Sequence, residues 1–162
     1  MYTITNLYIP ALEGQNSTVH QNEVFRQNTS IIFNLEISNP NKGIGVYYDG
    51  INLTLYYTDA IVGVKSMPAF YQGHKKTTLR KVLVNASQQF WRGIEGGTIY
   101  LRVYLETAVK YKIFRSKTKH HQIDLEAYVP IGSDGRITGE KSIKLHHTLN
   151  CSSRQNMEIY EV

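Results

Sequence analysis

One cysteine, Cys151, stands in 162 residues, so the chain has neither an intrachain disulfide framework nor a multi-cysteine zinc site. The fold must stand on its core. A domain of this length buries roughly 68–70% of the surface its unfolded chain exposes, so the lone thiol neither requires nor excludes secretion. No run approaches the ~18–20 consecutive apolar residues of a membrane span. The opening Met1-Tyr2-Thr3-Ile4-Thr5-Asn6 also lacks the basic stretch and apolar core of a signal peptide, so as written nothing anchors or exports the chain. Charged residues reach only 19% against 41% hydrophobic ones, far from the composition of disordered chains. One domain, residues 1–162, fits this length.

Catalytic patterns are also missing. Ile131-Gly132-Ser133-Asp134-Gly135 resembles a nucleophile elbow only superficially, because its spacing is wrong and it reads as a turn. The carboxylates are scattered, with no pair set for acid/base work. His120-His121 and His146-His147 invite a metal, but adjacent strand residues point to opposite faces, so each pair offers one imidazole to a given site. Solvated strand-end histidines are the plainer reading. The chain is expected to be non-enzymatic, with no metal and no cofactor.

What the chain does have is tyrosine, 12 of 18 aromatic residues, and tyrosine suits a pleated, half-buried surface. Apolar residues alternate with period two at Ile31-Phe33-Leu35-Ile37, Ile51-Leu53-Leu55-Tyr57, Ile99-Leu101-Val103-Leu105 and Ile123-Leu125-Ala127-Val129. Further strands are expected at 3–9, 61–67, 78–84 and 142–149. Turn signals fall at Asn39-Pro40-Asn41, Asp49-Gly50, Gly96-Gly97 and Ser133-Asp134-Gly135, the last reading as a hairpin turn. A short helical turn is predicted over 87–92. With no long amphipathic helix, this pattern predicts an all-β fold of about 7–9 strands in two antiparallel sheets packed as a sandwich.

The net charge of +5 suits an acidic partner, be it nucleic acid, lipid headgroups or an acidic polysaccharide, although a modest excess also serves solubility. Basic residues cluster at Lys75-Lys76, at Arg80-Lys81 and along Lys110, Lys112, Arg115, Lys117 and Lys119. Tyr104, Tyr111 and Phe114 are interleaved with them, as on a base-stacking sheet, but no ribonucleoprotein signature, Gly-x-x-Gly clamp or zinc knuckle accompanies them. Nucleic acid is therefore not the expected partner. Lys75, Lys76, Lys117 and Lys119 are candidates for a surface that meets an anionic membrane or wall polymer. Trp91, Tyr100 and Tyr104 are candidates for an aromatic platform that binds carbohydrate or lipid.

Asn-x-Ser/Thr triplets stand at Asn16, Asn28, Asn52, Asn85 and Asn150, none with proline between. Composition alone would give roughly 1.6 such triplets, so five is an excess that points to N-glycosylation, against the alternative of accidental turn asparagines. Asn52 sits opposite the Ile51-Leu53-Leu55 face, where a glycan could stand in solvent.

Three stretches carry a family resemblance: Asn6-Leu7-Tyr8-Ile9-Pro10-Ala11-Leu12, Asn39-Pro40-Asn41 through Tyr47-Tyr48-Asp49, and Pro68-Ala69-Phe70-Tyr71-Gln72-Gly73-His74-Lys75-Lys76. With Thr107 to Ile113 and Lys117-Thr118-Lys119-His120, in order, they resemble the plant non-race-specific disease resistance and hairpin-induced family. That family shares the water-stress and hypersensitive-response domain of the group 2 late embryogenesis abundant proteins. The resemblance implies an immunoglobulin/fibronectin III-like sandwich, no catalytic residues, and a role in defence. It marks Asn39, Pro40, Asn41, Tyr47, Tyr48, Asp49, Tyr71, Gln72, Gly73, His74 and Lys75 as the motif. Family members carry a membrane span upstream, so the resemblance implies an ectodomain on the extracellular face of the plasma membrane. The expected partners are other membrane or defence-signalling proteins and, through the basic face, wall polysaccharide or the membrane. The alternative is a soluble, cytoplasmic protein that protects cell components in water stress.

Overall fold

The structure is a computed structural model, and it describes residues 1–10, 30–86 and 98–148. Among these residues there are twelve strands and no α-helix. In chain order they are β1 (Tyr2–Tyr8), β2 (Ser30–Ser38), β3 (Ile44–Tyr48), β4 (Ile51–Tyr57), β5 (Ala60–Met67), β6 (Phe70–Gln72), β7 (Thr77–Asn85), β8 (Ile99–Ile113), β9 (Ser116–Lys117), β10 (His121–Ile131), β11 (Ser142–Lys144) and β12 (His146–His147). Every pairing between them is antiparallel. One sheet runs β11-β1-β2-β7; the other runs β12-β10-β8-β3-β6, with β4 also beside β8 and β5 beside β4.

The alternating segments place their apolar faces between the sheets. Ile31, Phe33, Leu35 and Ile37 of β2 share one core with Leu53, Leu55, Leu101, Val103 and Leu105 of the other sheet, all of them buried. Burial of such side chains contributes about 1.5–3 kcal/mol each, the main term holding the two sheets together. The sandwich expected from the sequence is thus present, with strands at all eight expected segments. The predicted helical turn at 87–92 and the Gly96-Gly97 turn lie outside the described residues.

Departures from simple alternation have local causes. Along β1 the buried side chains are Ile4 and Leu7, followed just past its end by Ile9, a change of phase at Asn6. Asn6 has φ +52° and the β1–β2 register shifts between Thr5 and Tyr8, so this asparagine forms a bulge that re-aims the strand. The segment expected as one strand over 142–149 is two: β11 joins the first sheet and β12 the second, and buried Leu145 marks the handover. β3 and β4 lie end to end along the single long strand β8, broken at Asp49-Gly50 by one extra residue. Thr107 Oγ1 donates to Asp49 O at 3.2 Å and Asp49 N donates to Ala108 O at 2.8 Å, which closes the backbone bonds across this break.

Candidate functional site

The motif residues converge at one end of the sandwich, where β2 ends and β3 begins. Pro40 cannot donate to a ladder and holds Asn39 extended, so β2 stops at Ser38 and the chain turns. Asn39 is buried at the turn, where its Nδ2 donates to Ile44 O at 2.8 Å and Gly73 O at 3.2 Å. Its Oδ1 accepts from Asn41 N at 3.2 Å and Asn41 Nδ2 at 3.0 Å. Gln72, also buried, reaches the opposite way. Its Nε2 donates to Ile37 O at 2.8 Å and Lys76 O at 2.9 Å, with Thr78 Oγ1 at 3.1 Å, while its Oε1 accepts from Tyr48 OH at 2.9 Å. These two amides therefore tie the ends of both sheets together.

The tyrosines of the motif divide into two sets. Tyr48 is buried, stacks on Phe70 with ring centroids 4.6 Å apart, and meets Tyr2 edge-on at 6.3 Å. Burial, with Tyr111 nearby, pushes its phenol up to about 12. Burial likewise raises Tyr2 above the ordinary tyrosine value. Tyr47 and Tyr71 lie on the outer face, their rings 4.5 Å apart, and Lys117 Nζ sits 4.7 Å over Tyr47. Tyr71 lies across Gly45, where a Cβ would collide with its ring. The open cleft beside Tyr48 holds about 470 Å³ and is lined in part by Tyr2, Tyr111, Lys144 and His147.

The same end gathers the predicted basic surface. Asn39 N donates to Lys76 O at 2.9 Å, which fixes the turn carrying His74, Lys75 and Lys76 beside the end of β2. Lys75 itself has φ +54°. Ile44 pairs with Ile113, the last residue of β8, and the β8–β9 hairpin that follows carries Lys112, Arg115 and Lys117. Thr118 Oγ1 accepts from Tyr111 N at 2.9 Å, which holds the segment bearing Lys119 against β8. His120 Nε2 lies 3.0 Å from Asp49 Oδ2, so the acidic residue of the motif faces an imidazole. The structure thus places Lys75, Lys76, Lys117 and Lys119 at one end of the molecule. Sequence reasoning did not foresee the exposed tip between β8 and β9, where Ile113 is 47% and Phe114 92% exposed. The signal available was the unbroken pattern from Val109 to Ile113 running into Phe114.

Of the glycosylation candidates, Asn52 and Asn85 are exposed. Asn52 points to solvent from β4, its Oδ1 accepting from Ser66 Oγ at 2.8 Å, and Asn85 ends β7 opposite Ser30. Asn16, Asn28 and Asn150 lie outside the described residues, as do Trp91 and Cys151. Tyr100 is 60% exposed and Tyr128 61%, on the outer face of the second sheet. Beside them Arg102 sits between the rings of Tyr56 and Tyr104, at 5.1 and 5.4 Å, and its Nε donates to Glu126 Oε2 at 2.7 Å. Among the described residues no three His, Cys, Asp or Glu side chains gather as a metal site. No helix among them is long and apolar enough to cross a membrane.

Comparison with known proteins gives these residues a family. The sequence matches the family described as late embryogenesis abundant protein over residues 34–155. It is 32% identical to Protein NDR1 of Arabidopsis thaliana, in an alignment covering 88% of this chain and 68% of that protein. It is 33% identical to NDR1/HIN1-like protein 2 of the same plant, covering 69% of this chain and 52% of the relative. The chain therefore spans about two thirds of the first relative and half of the second. Among solved structures, a protein from Archaeoglobus fulgidus aligns at TM-score 0.36 and 12% identity, over 61% of this chain and 82% of that one, a likeness that carries no argument. The chain belongs to the late embryogenesis abundant family, among the NDR1/HIN1-like proteins.

Proposed function

We propose that this chain is a non-enzymatic β-sandwich at the extracellular face of the plant plasma membrane, acting in the defence response and binding other membrane or defence-signalling proteins. The observation that carries the reading is the similarity to Protein NDR1 across 88% of the chain. Exposed Asn52 and Asn85, in their Asn-x-Ser/Thr triplets, support exposure to the glycosylation machinery. The motif amides are occupied in holding the fold, so recognition belongs to the outer surfaces around them: the Tyr47-Tyr71 pair and the basic residues beside it.

Membership of the late embryogenesis abundant family also supports the second reading that the resemblance implies, a soluble protein that protects cell components in water stress. The two differ in one observable. Native protein is recovered from plant membranes and from the soluble fraction, and its gel mobility is compared before and after enzymatic removal of N-glycans. Membrane-fraction protein that collapses by several kilodaltons is the expected result. Soluble protein with no shift removes the membrane-surface reading and leaves the stress protein.

A further inference from the structure

The β8–β9 connection is a two-residue hairpin: Ile113 pairs with Ser116, leaving Phe114 and Arg115 as the central residues. Phe114 has φ +57°. The first central position of such a turn favours glycine, because a side chain there crowds the backbone, and a bulky residue at positive φ is an outlier. Phe114 is also 92% exposed and its neighbour Ile113 47% exposed. Folding gains nothing from a large apolar ring held in that conformation in water, so the pair points to a use outside the fold.

The surroundings identify the use. Lys112, Arg115, Lys117 and Lys119 are exposed on the same hairpin and its exit. No carboxylate stands between Thr107 and Ile123, nor between Ala60 and Ile94, the stretch that brings Lys75 and Lys76 to this end. An apolar tip within a basic collar complements an anionic bilayer, with apolar groups at the acyl boundary and cations among the headgroups. A polyanionic chain would use the cations and the ring of Phe114 but would leave aliphatic Ile113, which offers no stacking face, without a role.

We propose that the β8–β9 hairpin is a membrane-docking wedge, in which Ile113 and Phe114 enter the interface of an anionic bilayer while Lys112, Arg115, Lys117 and Lys119 meet its headgroups. The proposal goes beyond the extracellular reading, since anionic headgroups are concentrated on cytoplasmic leaflets, and it stands on the chemistry of the hairpin itself. Docking by the tip would hold the motif end of the sandwich against the bilayer and leave the opposite end free.

The test is sedimentation of the purified full chain with phosphatidylcholine vesicles, with and without phosphatidylserine, alongside polygalacturonate. The expected result is binding to the phosphatidylserine vesicles that weakens with salt. Phe114→Gly keeps the turn, since glycine accepts its positive φ, and should melt no lower than the parent chain while binding roughly ten- to hundredfold more weakly. Lys112→Gln and Arg115→Gln should each weaken binding roughly fivefold. A parent chain that ignores these vesicles, one that binds only polygalacturonate, or a folded Phe114→Gly chain that binds like the parent overturns the proposal. The two readings fail separately. Glycosylated membrane-fraction protein whose purified chain ignores vesicles sinks the wedge alone, and soluble, unglycosylated protein whose purified chain binds them sinks the extracellular setting alone.

Discussion

Gln72 shows how little of the motif's work is visible in a residue's type. One buried side chain serves the backbone of β2 at Ile37, the turn at Lys76 and the phenol of Tyr48. Gln72→Leu would keep the volume but strand those partners out of water, and should cost about 2–4 kcal/mol, measured by urea unfolding. Tyr48 gives the same network a pH dependence. Its folded value of about 12 lies above the ordinary 10.0, so the folded state keeps a proton that the unfolded state loses. The stabilisation is therefore complete below pH 10.0 and is lost as pH rises toward about 12, on the order of 2 kcal/mol, while a Tyr48→Phe chain should lack that component of the alkaline loss. Proline in Asn39-Pro40-Asn41 made the turn legible in the sequence. Nothing in the spacing of a single glutamine tells a buried hub from a solvated surface residue.

Among the elements, the strands that bury one whole face were the readable ones, because β2, β4, β8 and β10 alternate over four or more apolar positions. β3 escaped that reading: Gly45 and Val46 are both buried, the glycine because Tyr71 lies over it, so its burial does not alternate. β9 and β12 are two residues long and exist only through their neighbours. Two glycines separate a rigid contact from a yielding one. A Cβ at Gly63 would meet Val84 Cγ1 at 2.6 Å and Asn85 O at 2.7 Å, where β5 closes against β7. Gly63→Ala should therefore cost about 1–3 kcal/mol, because backbone must move. At Gly45→Ala the nearest atoms all belong to the side chain of Tyr71, which is 49% exposed and can swing outward, so its cost should stay below about 1 kcal/mol. Thermal unfolding of the two variants side by side reads this difference.

At the scale of the whole molecule, residues far apart in sequence meet at one end: the Asn39 turn, the Lys75-Lys76 turn and the β8–β9 hairpin. The sequence showed the basic clusters but could not show that they share an end, since that depends on which strands run toward it. Nor could it show that Phe114 is a hairpin tip, because the reading of β8 stopped eight residues early, at Leu105 instead of Ile113. The opposite holds for Asn52, where alternation alone placed the side chain on the outer face that the structure shows. That exposed asparagine offers the most direct measurement, peptide mapping of the native protein for glycan at Asn52. The account predicts membrane-fraction protein with glycan on Asn52; bare Asn52 throughout a wholly soluble pool would contradict it.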